Sequence, residues 1–195
     1  MTINNTEELK IAVAEAGRLL QEIQDYCGSN EDSNAKVRFP RGYIRTATKA
    51  RERFAFINDV DLKSNLSYTL MLCDTLRWVI DRTDITATAK EMLIKTTIFL
   101  AGAMIESMTK VFLKGKCSKN YKIRTEYLVK NSIITPGLKT DLDWVWDTRN
   151  NMHLFLVDGC EYNNEYNASS YKRCILSFRA LVDSINTYNQ STLNT

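Results

Sequence analysis

Turn-forming residues are scarce in this chain. Seven glycines and two prolines are spread over 195 residues, whereas ordinary globular proteins carry roughly 12% of the two combined. That shortage excludes a sandwich or barrel built on many tight turns. Histidine is rarer still. His153 is the only one, so one chain has no multi-histidine zinc site to offer. The glycine-rich phosphate cradles G-x-x-x-x-G-K-[ST] and G-x-G-x-x-G are missing, which removes the usual motif support for nucleotide binding. Five cysteines (Cys27, Cys73, Cys117, Cys160 and Cys174) stand far apart with no C-x-x-C pair. They read as reduced thiols and not as a disulfide framework. Long apolar runs are also lacking. The longest uncharged stretch, Thr96 to Ile105, is half the roughly 20 residues of a membrane-spanning helix. The first ten residues have neither a basic n-region nor an apolar h-region. The expectation is a cytoplasmic protein with no cofactor, no metal and no membrane contact.

The residues that are present point to helices. Apolar residues make up 44% of the chain, enough for one real core. Leu9, Val13, Ala16, Leu20, Ile23 and Cys27 recur every three or four positions, which predicts a helix over about 6–26 with Thr6 as N-cap and Gly28 as its stop. A second segment covers about 43–57 and a third about 62–80, with Asn58-Asp59 as the cap between them. The most apolar helix, about 86–114, belongs at the centre of a bundle. A short segment follows over 119–130. Pro136-Gly137 reads as a sharp turn, and helices over about 138–157 and up to about 188 complete the chain. The expected fold is all-α, an up-and-down bundle of five to six helices. It divides into an N-terminal helical arm packed on the bundle (1–57), the bundle itself (58–188) and a flexible tail (189–195).

The helix over 138–157 carries the candidate chemistry. Its inward stripe is Leu142, Trp146, Arg149, His153 and Leu156, spaced like a coiled-coil seam. Arg149 and His153 therefore stand one turn apart where apolar residues belong, and burying an unpartnered cation is expensive. Histidine exchanges a proton near neutral pH, and arginine holds phosphate oxygens. The plain alternative is a hydrogen-bonded histidine and a salt-bridged arginine serving as a polar seam for assembly. Glu106 follows ten uncharged residues and is placed either to accept from Arg149, to orient His153, or to pair with Lys110 one turn away. Asp143 and Asp147 read as solvated charges in the first half of the helix.

The 26 basic residues against 23 acidic ones leave a net charge of only +3, yet their distribution is uneven. Lys36, Arg38, Arg41, Arg45, Lys49, Arg51 and Arg53 crowd one tract around a single acid, Glu52. Lys110, Lys114, Lys116, Lys119, Lys122, Arg124 and Lys130 crowd another around Glu126, with Tyr121 and Tyr127 interleaved. Arg38, Arg41, Arg45, Lys49, Arg51, Lys114, Lys116, Lys119, Lys122 and Arg124 are the candidate RNA-binding residues, since clustered cations beside aromatics suit a phosphate backbone and stacked bases. A solvated helix face, or an acidic partner protein, would use the same charges.

The segment Trp146-Asp-Thr-Arg149-Asn150-Asn151-Met-His153-Leu154 resembles the Arg-Asn…His signature of the HEPN superfamily. Ala101-Gly-Ala-Met-Ile-Glu106 is similar to that family's earlier central helix, and the order of segments over about 60–188 agrees. The resemblance implies a helical bundle that forms a homodimer with one composite cleft, often a metal-independent endoribonuclease of toxin–antitoxin, phage-defence or RNA-processing systems. It implies that Arg149 binds phosphate, that Asn150 is the polar residue following it, and that His153 is the acid–base group. It also implies an RNA substrate and an antitoxin or regulatory protein partner. The family pattern has four to six residues between Arg and His, and this chain has three. The alternative is a non-catalytic HEPN-like dimerisation or protein-binding module.

Overall fold

The computed structural model describes residues 2–151 and 165–193. Seven α-helices and no strand occur among the described residues: α1 (Thr6–Cys27), α2 (Ala47–Glu52), α3 (Val60–Arg82), α4 (Ala87–Phe112), α5 (Tyr121–Lys130), α6 (Pro136–Asn150) and α7 (Ala168–Leu193). The chain divides into two compact units, Met1–Arg41 and Gly42–Thr195.

In the first unit the cap of α1 is Asn5, one residue before the expected cap Thr6. The Asn5 side chain accepts from the Glu8 backbone N–H at 2.9 Å, and the Glu8 carboxylate accepts in return from the Asn5 amide. The first bond satisfies one of the backbone N–H groups that a helix start leaves open, and the second, from the Asn5 side-chain Nδ2, holds the capping side chain in place. Gly28 ends the helix at φ +56°, a conformation glycine adopts without penalty. No residue of α1 is buried, and Arg18 holds Glu15 and Glu22 along its surface.

The second unit is an all-α bundle centred on α4, which packs against α3, α5, α6 and α7. Ile94, Ile98, Ala101, Ile105 and Met108 form its buried stripe, meeting Leu142 and Val145 of α6, Leu128 of α5, and Leu181, Val182 and Ile185 of α7. Helix α4 is long and apolar enough to cross a membrane, and half of its most apolar window is buried inside the protein. Asp59 caps α3 through the Leu62 N–H.

Three elements depart from the sequence reading. Residues 43–57 form a helix only over α2, after which Phe54 and Ile57 close i→i+3 turns that bring Phe54, Phe56 and Ile57 into the core. Phe56 meets Phe112 edge-on, and Phe112 meets Tyr188. Residues 42–57 thus stand in the same unit as the bundle, and the division falls after Arg41. Pro136-Gly137 is the first turn of α6, where proline's missing N–H costs nothing. Helix α7 continues through Leu193, into the stretch expected to be a tail.

The four described cysteines are all free, with Cys73 and Cys174 buried and Cys27 and Cys117 half-buried. Burial raises the thiols of Cys73 and Cys174 to about 12. An unfolded thiol titrates near about 8.5, so between these values the unfolded chain sheds protons that the folded one keeps. Stability is therefore full below that window and falls as pH rises through it. Alkylation of the native protein is expected at Cys27 and Cys117 long before Cys73 and Cys174, read by mass spectrometry. Equal labelling of all four would contradict the burial.

Candidate functional site

Two stripes face each other across the α4–α6 contact. On α4, Phe99, Gly102 and Glu106 are spaced by three and four residues, so they share one face. On α6 the matching stripe is Leu142, Trp146 and Arg149. Gly102 lets the helices close. A Cβ built there would lie 3.0 Å from the Arg149 Cβ and 3.1 Å from its Cγ. The bare backbone of α4 is thus the floor on which the arginine stem lies.

The guanidinium of Arg149 is held from several sides. Its NH2 lies 3.2 Å from the Glu106 Oε2, and its NH1 donates to the Asn150 Oδ1 at 3.0 Å. It rests over the rings of Trp146 (5.1 Å) and Phe99 (5.8 Å), a placement that aromatic quadrupoles favour. Its Nε is buried and has no hydrogen-bond partner among the described residues. Trp146 is fixed in turn by parallel stacking on Tyr121 at 4.3 Å, and the Tyr121 hydroxyl donates to the Leu142 carbonyl. Burial pushes the Tyr121 phenol well above its ordinary range, so it is a neutral wall. Of the three partners weighed for Glu106, the structure shows Arg149; no ion pair joins Glu106 to Lys110 among the described residues, and His153 lies outside them.

His153 and Leu156 lie outside the described residues, as does Cys160. Helix α6 is described to Asn150, with Asn151 as its cap. Glu106, Arg149 and Asn150 are brought together. Asp143 accepts from Thr125 and Lys139, and Asp147 pairs with Lys122. Sequence reasoning missed Phe99 and Gly102, whose part in the site shows only once α6 is packed against α4.

The basic tracts separate. Arg38 and Arg41 are exposed in the first unit, and Lys49 is exposed on α2 of the second. Arg45 is taken up by Asp74, with Nε and NH2 each 2.6 Å from a carboxylate oxygen. Arg51 reaches the Tyr68 hydroxyl at 3.2 Å, and Arg53 lies 3.3 Å from Asp183. In the second tract Lys114 and Lys119 are exposed, Lys116 sits over the Phe112 ring, and Lys122 pairs with Asp147 at 3.0 Å. Arg124 is only 2% exposed. Its NH1 donates to the Glu106 carbonyl, and burial lowers its affinity for the proton, which Glu106 partly restores.

No protein-family model, no curated protein and no solved structure matches this chain.

Proposed function

We propose that the protein is RNA-directed, with Arg149 as the phosphate-binding residue of a metal-independent endoribonuclease site shared between two copies of the chain. The observation that carries this reading is the Arg149 guanidinium itself. It is presented at the end of α6 on a glycine floor, oriented by Glu106 and two aromatic faces, with its Nε unpaired among the described residues. A fixed guanidinium stabilises charge that develops on a phosphate. In this reading the RNA 2′-hydroxyl attacks the adjacent phosphorus and the 5′-oxygen leaves. His153 supplies or takes the proton, and Asn150 positions the arginine. An antitoxin or regulatory protein would act by covering the site.

One observation favours the second reading, a non-catalytic binding module. Glu106 already neutralises one edge of Arg149, and an arginine so paired serves equally well as a structural seam.

The test is RNA cleavage in EDTA by wild type, Arg149→Ala and His153→Ala, with circular dichroism to check the fold and light scattering to check assembly. Cleavage by wild type that leaves 2′,3′-cyclic phosphate ends and drops at least tenfold in both variants is the expected result. Absence of cleavage by a folded wild type, or cleavage equal in all three proteins, would overturn the nuclease reading.

A further inference from the structure

A cavity of about 460 Å³ opens where the C-terminal end of α4 meets the loop 113–120 and the wall of α5. Its volume lies within the range of small-molecule sites. Leu62 of α3 with Val111 and Leu113 supplies a mostly apolar floor, while Lys110, Lys114, Lys119 and Arg124 supply positive charge. No carboxylate is among the residues lining it, and no acid lies within ion-pair distance of these four cations among the described residues. The chain reverses at Gly115, whose φ of +78° a residue with a side chain would resist. That turn carries Lys114 and Lys119 to the same cavity.

The negative end of the α4 dipole accounts for Lys110 and Lys114. It does not account for Arg124, which α5 holds in the cavity wall. Arg124 is almost wholly buried, and its Nε has no hydrogen-bond partner among the described residues. Its one hydrogen bond goes to a main-chain carbonyl. The nearest carboxylate that influences it, Glu106, is bonded to Arg149. Arg124, held over the Tyr121 ring in the cavity wall, adds its charge to that of the three lysines lining the same space, and such a set of cations suits an anion with several acceptor oxygens. The floor asks for more than an anion, because an apolar surface gains nothing from inorganic phosphate alone.

We infer that this cavity binds a phosphomonoester carrying an apolar or aromatic body, the chemistry of a mononucleotide. The phosphate meets Arg124 and the lysines, and the body lies on Leu62, Val111 and Leu113. An RNA strand lying along an exposed lysine face would need neither the concavity nor the buried arginine. None of Glu106, Arg149 and Asn150 lines the cavity, so this inference stands apart from the nuclease reading.

The experiment is calorimetric titration at low salt with AMP, adenosine and inorganic phosphate, and with one RNA hexamer bearing either a 5′-phosphate or a 5′-hydroxyl. The proteins are wild type, the double variant Lys114→Gln/Lys119→Gln at exposed positions, and Arg124→Gln with its fold checked by circular dichroism. AMP is expected to bind at least tenfold more tightly than adenosine or phosphate, and at least tenfold more weakly to the double variant at an unchanged melting temperature. A 5′-phosphorylated hexamer that binds tenfold more tightly than its hydroxyl twin, and loses that preference in the double variant, supports the inference with an RNA end as the source. The inference is overturned if neither AMP nor the phosphorylated hexamer binds at millimolar concentration. It is overturned equally if AMP binds no better than adenosine or phosphate and the two hexamers bind alike, or if the double variant binds as wild type does.

Discussion

Replacing Asp74 with alanine is expected to lower the free energy of unfolding by about 3 kcal/mol, at the lower end of the roughly 3–5 kcal/mol that follows loss of one partner from a buried ion pair. Asp74 is 6% exposed and accepts three hydrogen bonds from one residue. The Arg45 Nε and NH2 each approach a carboxylate oxygen at 2.6 Å, and the Arg45 backbone N–H approaches at 3.1 Å. The carboxylate therefore pins the chain just before α2 to the middle of α3. Alanine would leave a guanidinium and a backbone donor without acceptors. The Arg45 side chain is 29% exposed, so water can reach part of it, which is why the lower figure applies. Urea unfolding followed by circular dichroism measures the effect, and a loss below about 1 kcal/mol would mean the pair is solvated like a surface bridge. Arg45→Met/Asp74→Leu is expected to recover much of the loss, because an apolar pair leaves no charge to solvate. The same geometry removes Arg45 from the cations free to serve the proposed RNA-directed role.

The long helices were legible because their periodicity agrees with their burial. The stripe through Ile94, Ile98, Ala101, Ile105 and Met108 can face only one way, and Asp59 announces α3 with a side chain that accepts from the Leu62 N–H. Where local pattern and tertiary contact disagree, the pattern misleads. Ala47, Arg51 and Phe54 have helical spacing, yet the helix stops at Glu52. The Asn186 side chain of α7 takes the Arg53 carbonyl at 3.1 Å, and the chain turns there to bury two phenylalanines. That partner lies more than a hundred residues away in sequence. The candidate site divides along the same line. An arginine on an apolar seam and an acid ending an uncharged run are anomalies that one sequence displays, and Arg149 does meet Glu106. Gly102 is no anomaly until α6 is laid against it. The cavity beside Arg124 is equally hidden, since Leu62 reaches it from a different helix.

Replacing Phe54 with alanine is expected to cost about 3–5 kcal/mol, which locates the start of the bundle. Phe54 has no exposed surface and stands with Ala50, Phe56 and Ile57 in the core cluster. Its loss removes a large buried ring from a place where the surrounding backbone is held by Asn186 and by the i→i+3 bonds of the turn. A site held in that way collapses poorly onto a cavity, and poor collapse is what raises the cost of a large-to-small change. Phe54→Leu keeps most of the volume and is expected to cost less than half as much. Equilibrium unfolding of the two variants supplies the comparison. The domain division adds a second readout. A chain starting at Gly42 keeps all four side chains and is expected to unfold in one cooperative transition, whereas a chain starting at residue 58 lacks them and exposes the surface of α3 that α2 covers. If the shorter chain folded cooperatively and Phe54→Ala cost less than about 1 kcal/mol, residues 42–57 would be an appendage. The buried ring of Phe54 and its bonded turn argue that they are part of the bundle that holds Arg149 in place.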